Sequence, residues 1–265
     1  MYKLIDTHSH LFVEEFGEDR TEVMERARKA GITHIVMPNI DASSIEPMLR
    51  ACAENAGLCY PTIGLHPTEV KDDYREVLAL MKAQLQASVR GEASHAPFVA
   101  IGEVGLDFYW DTTYRKQQIA ALEQQLEWAL EYDLPVIIHS REAFSTLYDV
   151  FSRYKETPLR GVFHSFTGTA DEARALLEFP GFVLGINGVS TFKKSTLPEA
   201  LLDVPLSRLV VETDSPYLAP TPFRGKRNES AYVVHVVDKL ASIYQCSAEE
   251  VASQLYETSY KLFFG

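Results

Sequence analysis

Leu4-Ile5-Asp6-Thr7-His8-Ser9-His10 opens the chain with an apolar pair that runs straight into two histidines separated by one residue. A doubly wound open α/β sheet places a glycine-rich phosphate loop after its first strand. Here that position holds Asp6-Thr7-His8-Ser9-His10 instead. On an extended backbone, residues two apart point to the same side, so His8 and His10 form a ready pair of metal ligands. Taken alone, an H-x-H pair is a weak signal.

Outward from this stretch, short β-branched or apolar runs recur at residues 4–5, 35–37, 62–65, 99–102, 136–138, 162–163, 182–186 and 209–211. They read as eight buried strands. Helical signals lie between them. Thr21 begins a stretch with Val23, Met24, Ala27 and Ala30 at helical spacing, and Gly31 supplies a left-handed stop. Ser43 with Glu46, and Ser247 with Glu250, have capping-box spacing; Gly57 lies just past the end of the first of these helices. Residues 117–131 are rich in strong helix formers, and Pro135 marks the strand that follows. Residues 86–97 read as a surface loop. Alternation of this kind predicts an α/β fold, a (β/α)8 TIM-like barrel of regular or distorted form. Its 265 residues fit a single domain spanning 1–265, with the site at the C-terminal ends of the strands.

A hydrophobic content of 46% and a charged content of 23% suit a globular chain with a large core. The formal charge of −12 opposes broad attraction to duplex DNA, which depends on neutralising many phosphates, and leaves room for a nuclease with a small footprint. Asp6 interrupts the N-terminal apolar run, so no secretion signal is expected, and no apolar run nears the roughly 20 residues of a membrane helix. Cys52, Cys59 and Cys246 are odd in number and widely spaced, which fits a reducing cytoplasm. No obligate protein partner is evident, and a monomer is expected.

Further chemistry stands at strand ends. His139 closes the run 135–138, His164 closes 161–163, Glu103 follows 99–102, and Asp214 follows 209–213. One buried histidine is more often structural than functional, but three strands ending in histidine make coincidence a poor explanation. A carboxylate buried there costs several kcal/mol unless it is hydrogen-bonded, neutralised or bound to metal. Four histidines and two carboxylates suit two hard or borderline divalent ions.

Asp6-Thr7-His8-Ser9-His10, Ile63-Gly64-Leu65-His66-Pro67, Gly102-Glu103-Val104-Gly105-Leu106-Asp107, Val136-Ile137-Ile138-His139-Ser140-Arg141, Glu212-Thr213-Asp214-Ser215-Pro216-Tyr217-Leu218 and Arg224-Gly225-Lys226-Arg227-Asn228-Glu229 together resemble the motifs of the TatD family, in family order and over nearly the whole chain. The resemblance implies a metal-dependent hydrolase with an amidohydrolase-like barrel, a deoxyribonuclease acting on DNA ends or single strands. By the same resemblance His8, His10 and Asp214 hold one divalent cation and His139 and His164 a second, with Glu103 bridging. The ions would be Mg2+, Mn2+ or Zn2+. Asp214 is then the general base, because it could touch both the first ion and the attacking water.

Arg141, Arg224, Lys226 and Arg227 are candidates for phosphate binding, since guanidinium groups match phosphate geometry. His66 is placed against substrate phosphate without binding metal, and Asp107 as the residue that fixes a ligand or loop. Tyr109 and Trp110 follow the Glu103 strand and could stack on a base or simply pack. His34, His95 and His235 fit no ligand pattern. The sequence departs from the family at Ser165, where Cys is frequent, and at Ser230, where Pro is common. Two other readings stay open: ester or amide hydrolysis, such as deacylation of a mischarged aminoacyl-tRNA, and a non-enzymatic metal-binding protein.

Overall fold

The computed structural model describes residues 2–265. Eight strands alternate with helices: β1 (Leu4–Asp6), α1 (Arg20–Lys29), β2 (Ile32–Met37), α2 (Ile45–Glu54), β3 (Cys59–Pro61), α3 (Tyr74–Val89), β4 (Ile101–Asp107), α4 (Arg115–Tyr132), β5 (Val136–Arg141), α5 (Phe144–Ser152), β6 (Gly161–Phe163), α6 (Ala170–Leu176), β7 (Phe182–Ile186), α7 (Leu197–Ala200), β8 (Leu209–Val211), α8 (Val233–Tyr244) and α9 (Ala248–Phe264). All pairing is parallel, in the orders β1-β2-β3 and β4-β5-β6-β7-β8. Two seams join these sheets. At one, Ile63 bridges to Ile101, and the Ile63 amide donates to the Ala100 carbonyl at 3.2 Å. At the other, Ser9 bridges to Ser215, and the Thr7 amide donates to the Val211 carbonyl at 3.1 Å. The sheet thereby closes into a TIM-type barrel.

Val36, Ala100, Ile137, Val162, Val183 and Val210 form one apolar cluster, which Leu262 and Phe263 of α9 plug from below. A strand repeats every two residues, so the positions above this layer are occupied by His139 over Ile137, His164 over Val162 and Glu212 over Val210. The barrel interior therefore changes from apolar to polar within one pleat. A second, larger core lies between the strands and the surrounding helices.

Several boundaries differ from the sequence reading. The third strand ends at Pro61, and the expected run 62–65 lies beyond it. There the Thr62 hydroxyl donates to the Gly102 carbonyl while its amide donates to Met37, so the chain crosses from β2 toward β4 instead of extending the ladder. Strand β4 starts late and continues to Asp107, which puts Glu103 inside the strand and Asp107 at its end. Gly105 makes that continuation possible: with φ +149°, it lies so close to β5 that a Cβ would fall 2.0 Å from the His139 carbonyl oxygen.

The Ser43–Glu46 capping box does not form. Ser44 is the N-cap of α2, its hydroxyl accepts from the Ile40 and Asp41 amides, and Ser43 donates to the Asp41 carboxylate. The Ser247–Glu250 box does form, as does an unforeseen one at Thr169–Glu172. Residues 86–89 of the expected loop belong to α3. No helix among the described residues is long and apolar enough to cross a membrane.

Cys52 and Cys59 are buried and Cys246 is partly exposed, all three as free thiols. Burial pushes the Cys52 thiol up to about 12 and raises that of Cys59 as well. A disulfide-exchange reagent at pH 8 should therefore modify one thiol of the three quickly in the native protein and all three after unfolding. Three fast thiols in the native state would contradict the packing of Cys52 against Met37 and of Cys59 against Met24.

Candidate metal centre

Glu103 has 3% of its surface exposed, and its two carboxylate oxygens divide the surrounding histidines between them. Oε2 faces His8 Nε2 at 3.1 Å and His10 Nε2 at 3.7 Å. Oε1 faces His139 Nδ1 at 3.0 Å, His66 Nε2 at 3.5 Å and His164 Nε2 at 3.7 Å. Asp214 closes the group, with Oδ1 3.6 Å from His10, 3.7 Å from His8 and 3.9 Å from His164. The structure thus brings together His8, His10, Glu103, His139, His164 and Asp214, and adds His66, which lies with Glu103 and His139 in one of three groups able to hold an ion.

Two of the rings meet carboxylates behind them, while Nδ1 of His8 and of His10 is buried without a hydrogen-bond partner. His139 places Nε2 3.0 Å from Asp107 Oδ2, and His164 places Nδ1 2.9 Å from Glu212 Oε1. Glu212, fully buried, also accepts from the Ser165 amide at 2.6 Å. Gly185 on β7 leaves the space for that carboxylate, since a Cβ there would fall 2.3 Å from Glu212 Oε2. His8 stacks on His164 with ring centroids 3.5 Å apart. Asp214 adopts a left-handed backbone (φ 57°), a conformation costly for a non-glycine residue and one that aims its side chain back over the strand ends. Asn228 secures the loop beyond it by donating to the Thr213 and Tyr217 carbonyls at 2.8 and 2.7 Å.

Asp6 works at the seam. It is fully buried and accepts from the Thr213 amide (2.9 Å), the Thr213 hydroxyl (2.7 Å) and the Ser230 hydroxyl (2.5 Å). Burial lifts its pKa to about 7 against those hydrogen bonds. Ser230, where the family commonly has Pro, is thus a partner of Asp6; Ser165, where Cys is frequent, accepts from Asn187 Nδ2 at 2.7 Å. Sequence reading missed the parts played by Glu212 and Asp6. The period-two position of Glu212 above Val210 was its one available signal.

Burial opposes charge on every group here, and mutual attraction reverses it at some. At Glu103 and Asp214 the facing imidazoles overcome desolvation and hold both carboxyls below their usual range. His164 is lifted to about 10, because Glu212, Glu103 and Asp214 outweigh its burial. His8 moves down, chiefly by burial and by the neighbouring His164. The donor set fits divalent cations. His8 and His10 turn Nε2 atoms toward each other at 3.0 Å beside one carboxylate oxygen. Two neutral rings cannot both present lone pairs there without a proton or a cation between them.

The basic candidates separate. Arg141 lies exposed at the rim with its guanidinium 3.8 Å from the Tyr109 ring centroid. Arg224 stacks on Phe192 at 3.9 Å, and Lys226 lies 5.9 Å from the Phe223 ring. Arg227 is committed elsewhere: it pairs with Asp19 at 2.7 Å and donates to the Glu15 carbonyl at 2.6 Å, which makes it a loop anchor. His34, His95 and His235 lie outside the cluster, against Tyr60, Phe98 and Phe223 respectively.

The model of the TatD related DNase family matches residues 5–264. The chain belongs to this family. It is 37% identical to the uncharacterized metal-dependent hydrolase YabD of Bacillus subtilis, over 98% of each chain. It is 32% identical to a protein of Pantoea vagans named 3'-5' ssDNA/RNA exonuclease TatD, covering 98% of this chain and 99% of that one. The crystal structure of the TatD homologue YjjV from Escherichia coli superposes with a TM-score of 0.86 at 31% identity, over 98% of this chain and 97% of that one. The chain is thus a TatD-type metal-dependent hydrolase with the barrel of that family.

The raised pKa of His164 gives this TatD-type chain a testable pH dependence when stripped of metal. A group whose folded pKa lies above its ordinary 6.5 stabilises the fold fully below that pH and loses the contribution as pH rises through about 10. Denaturant unfolding in excess chelator should show stability falling across that window, with a smaller fall in Glu212→Gln. Equal falls in the two proteins would remove Glu212 as the source.

Proposed function

We propose that this chain hydrolyses phosphodiester bonds in single-stranded nucleic acid, above all at DNA ends, with two divalent ions (Mg2+, Mn2+ or Zn2+) held around Glu103. The division of the Glu103 oxygens carries the reading: His8 and His10 lie on the Oε2 side and His139, His66 and His164 on the Oε1 side. In this reading His8, His10 and Asp214 hold one ion, His139 and His164 the other, and Glu103 bridges, with His66 placed to join the second set or to meet substrate. The name of the Pantoea vagans relative supports the choice of single strands.

Bound there, the two cations would lower the pKa of water and offset charge on the attacking and leaving oxygens. Asp214, kept ionised and 16% exposed, takes the proton of the attacking water. Asp107 and Glu212 keep the His139 and His164 rings in place. Arg141 and Arg224 offer guanidinium groups to phosphate. A cavity of about 350 Å³ beside His164, lined by Ser140, Phe144, Ser165 and Phe166 among others, gives substrate a way in. The donor set is complete without a partner subunit, so the reading requires none; action as a monomeric, single-domain enzyme in the cytoplasm is part of the same proposal, in keeping with the free thiols.

Metal-loaded enzyme offered single-stranded DNA, duplex DNA, aminoacyl-tRNA and small amides should turn over the single strand fastest; faster deacylation would favour carbonyl chemistry and overturn this reading. Glu103→Ala should lose ions from both sides together in elemental analysis of the purified protein, and unchanged occupancy would remove the bridging role. Asp214→Asn keeps an oxygen and loses the base. With occupancy checked, its kcat should fall by roughly 10²–10⁴-fold, and near-normal turnover would take Asp214 out of proton transfer.

A further inference from the structure

Trp110 is 70% exposed and Tyr109 53%, an adjacent aromatic pair just past the end of the strand that carries Glu103. A residue so exposed cannot have both ring faces covered. The pair meets edge to face, with centroids 4.9 Å apart and planes at 87°. Arg141 lies over the Tyr109 ring at 3.8 Å and 5.2 Å from that of Trp110.

The segment is tied to the centre. One oxygen of Asp107 accepts from the Tyr109 amide (3.0 Å) and the Trp110 amide (3.4 Å), while its other oxygen meets His139. Asp107 and Arg141 are register partners on β4 and β5, and the Phe108 amide donates to the Arg141 carbonyl at 2.9 Å. The same carboxylate that orients a histidine of the cluster thus fixes the start of the aromatic segment, and the guanidinium springs from the adjacent strand. Asp111, next to Trp110, accepts from the Thr113 amide at 2.8 Å, and Glu142, exposed beside Arg141, makes no ion pair with it.

We propose that Tyr109, Trp110 and Arg141 form a nucleotide subsite: an unpaired base stacks on Trp110 while Arg141, braced by Tyr109, receives the adjoining phosphate. This deepens the phosphodiesterase reading and rests on it for the phosphate. A guanidinium beside an open indole matches the repeating unit of a single strand, charged link and flat base, and stacking accepts any base because each has a π face. Paired bases in a duplex keep their faces covered, so the subsite selects single strands by what it can reach.

Trp110 reports its own occupancy. The chain has two tryptophans, and Trp128 is 1% exposed, so quenching by a bound oligonucleotide reads Trp110. Metal-loaded protein mixed in a stopped-flow instrument with a thymidylate pentamer should lose fluorescence within the first turnover. Trp110→Phe should remove the signal, and a pentamer of abasic residues or a covalently closed circular duplex, which has no open terminal pair, should give little. In steady state Trp110→Ala should raise KM for the pentamer by about 5- to 100-fold, with kcat little changed. The ratio of kcat/KM on the pentamer to that on a small aryl phosphodiester should fall accordingly.

Cleavage without quenching overturns the subsite and leaves the hydrolytic reading standing. Quenching without cleavage does the reverse. Equal quenching by duplex, or an equal loss of kcat/KM on both substrates in Trp110→Ala, also overturns the subsite.

Discussion

The buried carboxylate of Glu103 is the constraint around which the rest is arranged. At 3% exposure it could not stay ionised without compensation, since desolvation of a lone carboxylate costs several kcal/mol or more. Five imidazoles face it, and their attraction keeps it in the charged form. Those rings crowd one another in turn, and two of them have a carboxylate behind them: Asp107 for His139 and Glu212 for His164. Negative charge thus stands behind these two histidines as well as at the centre of the five. That layering holds imidazole lone pairs inward in a site that has little solvent to stabilise alternatives.

The barrel makes this possible because its interior is layered. Below the donors lies a wholly apolar level sealed by α9, and the polar level stands one pleat higher on the same strands. The packing below leaves the backbone little freedom. It offsets the unfavourable desolvation above, as apolar burial contributes roughly 25 cal/mol per Å² removed from water. Buried polar contacts concentrate at the seam between β8 and β1. There Asp6 joins Thr213 and Ser230, the Asp214 amide donates to the His8 carbonyl at 2.9 Å, and Asp214 itself takes a left-handed backbone. Contacts that close the barrel therefore also position Asp214 beside His8.

Outside the donors the basic side chains divide into ion-paired anchors and groups left open at the rim. Arg227 and Arg26 hold the loop after Asp214 through Asp19 and Glu229, and Asn228 ties it to the strand end. Arg141 and the aromatic pair stay open at the rim. A net charge of −12 with cations at a few positions is compatible with a protein that meets nucleic acid at one place and not along a surface.

The sequence by itself determined the strand–helix alternation, the barrel class, and the strands that bring His139, His164 and Asp214 to one end of the barrel, because apolar runs, helix stops and strand periodicity are local properties of the chain; the strand expected to close at His139 continues to Arg141. It also singled out His8, His10 and Glu103, which the fold brings together, and Asp107, which meets His139. It misplaced the ends of β3 and β4, where Thr62 and Gly105 act through contacts with other strands. Only the tertiary structure decided that His66 joins the Glu103 cluster, that Glu212 stands behind His164 in space left by Gly185, that Asp6 fastens the seam, and that Arg227 is spent on Asp19. Each of these depends on distances between residues far apart in the chain, which are set when the barrel closes and have no trace in local spacing.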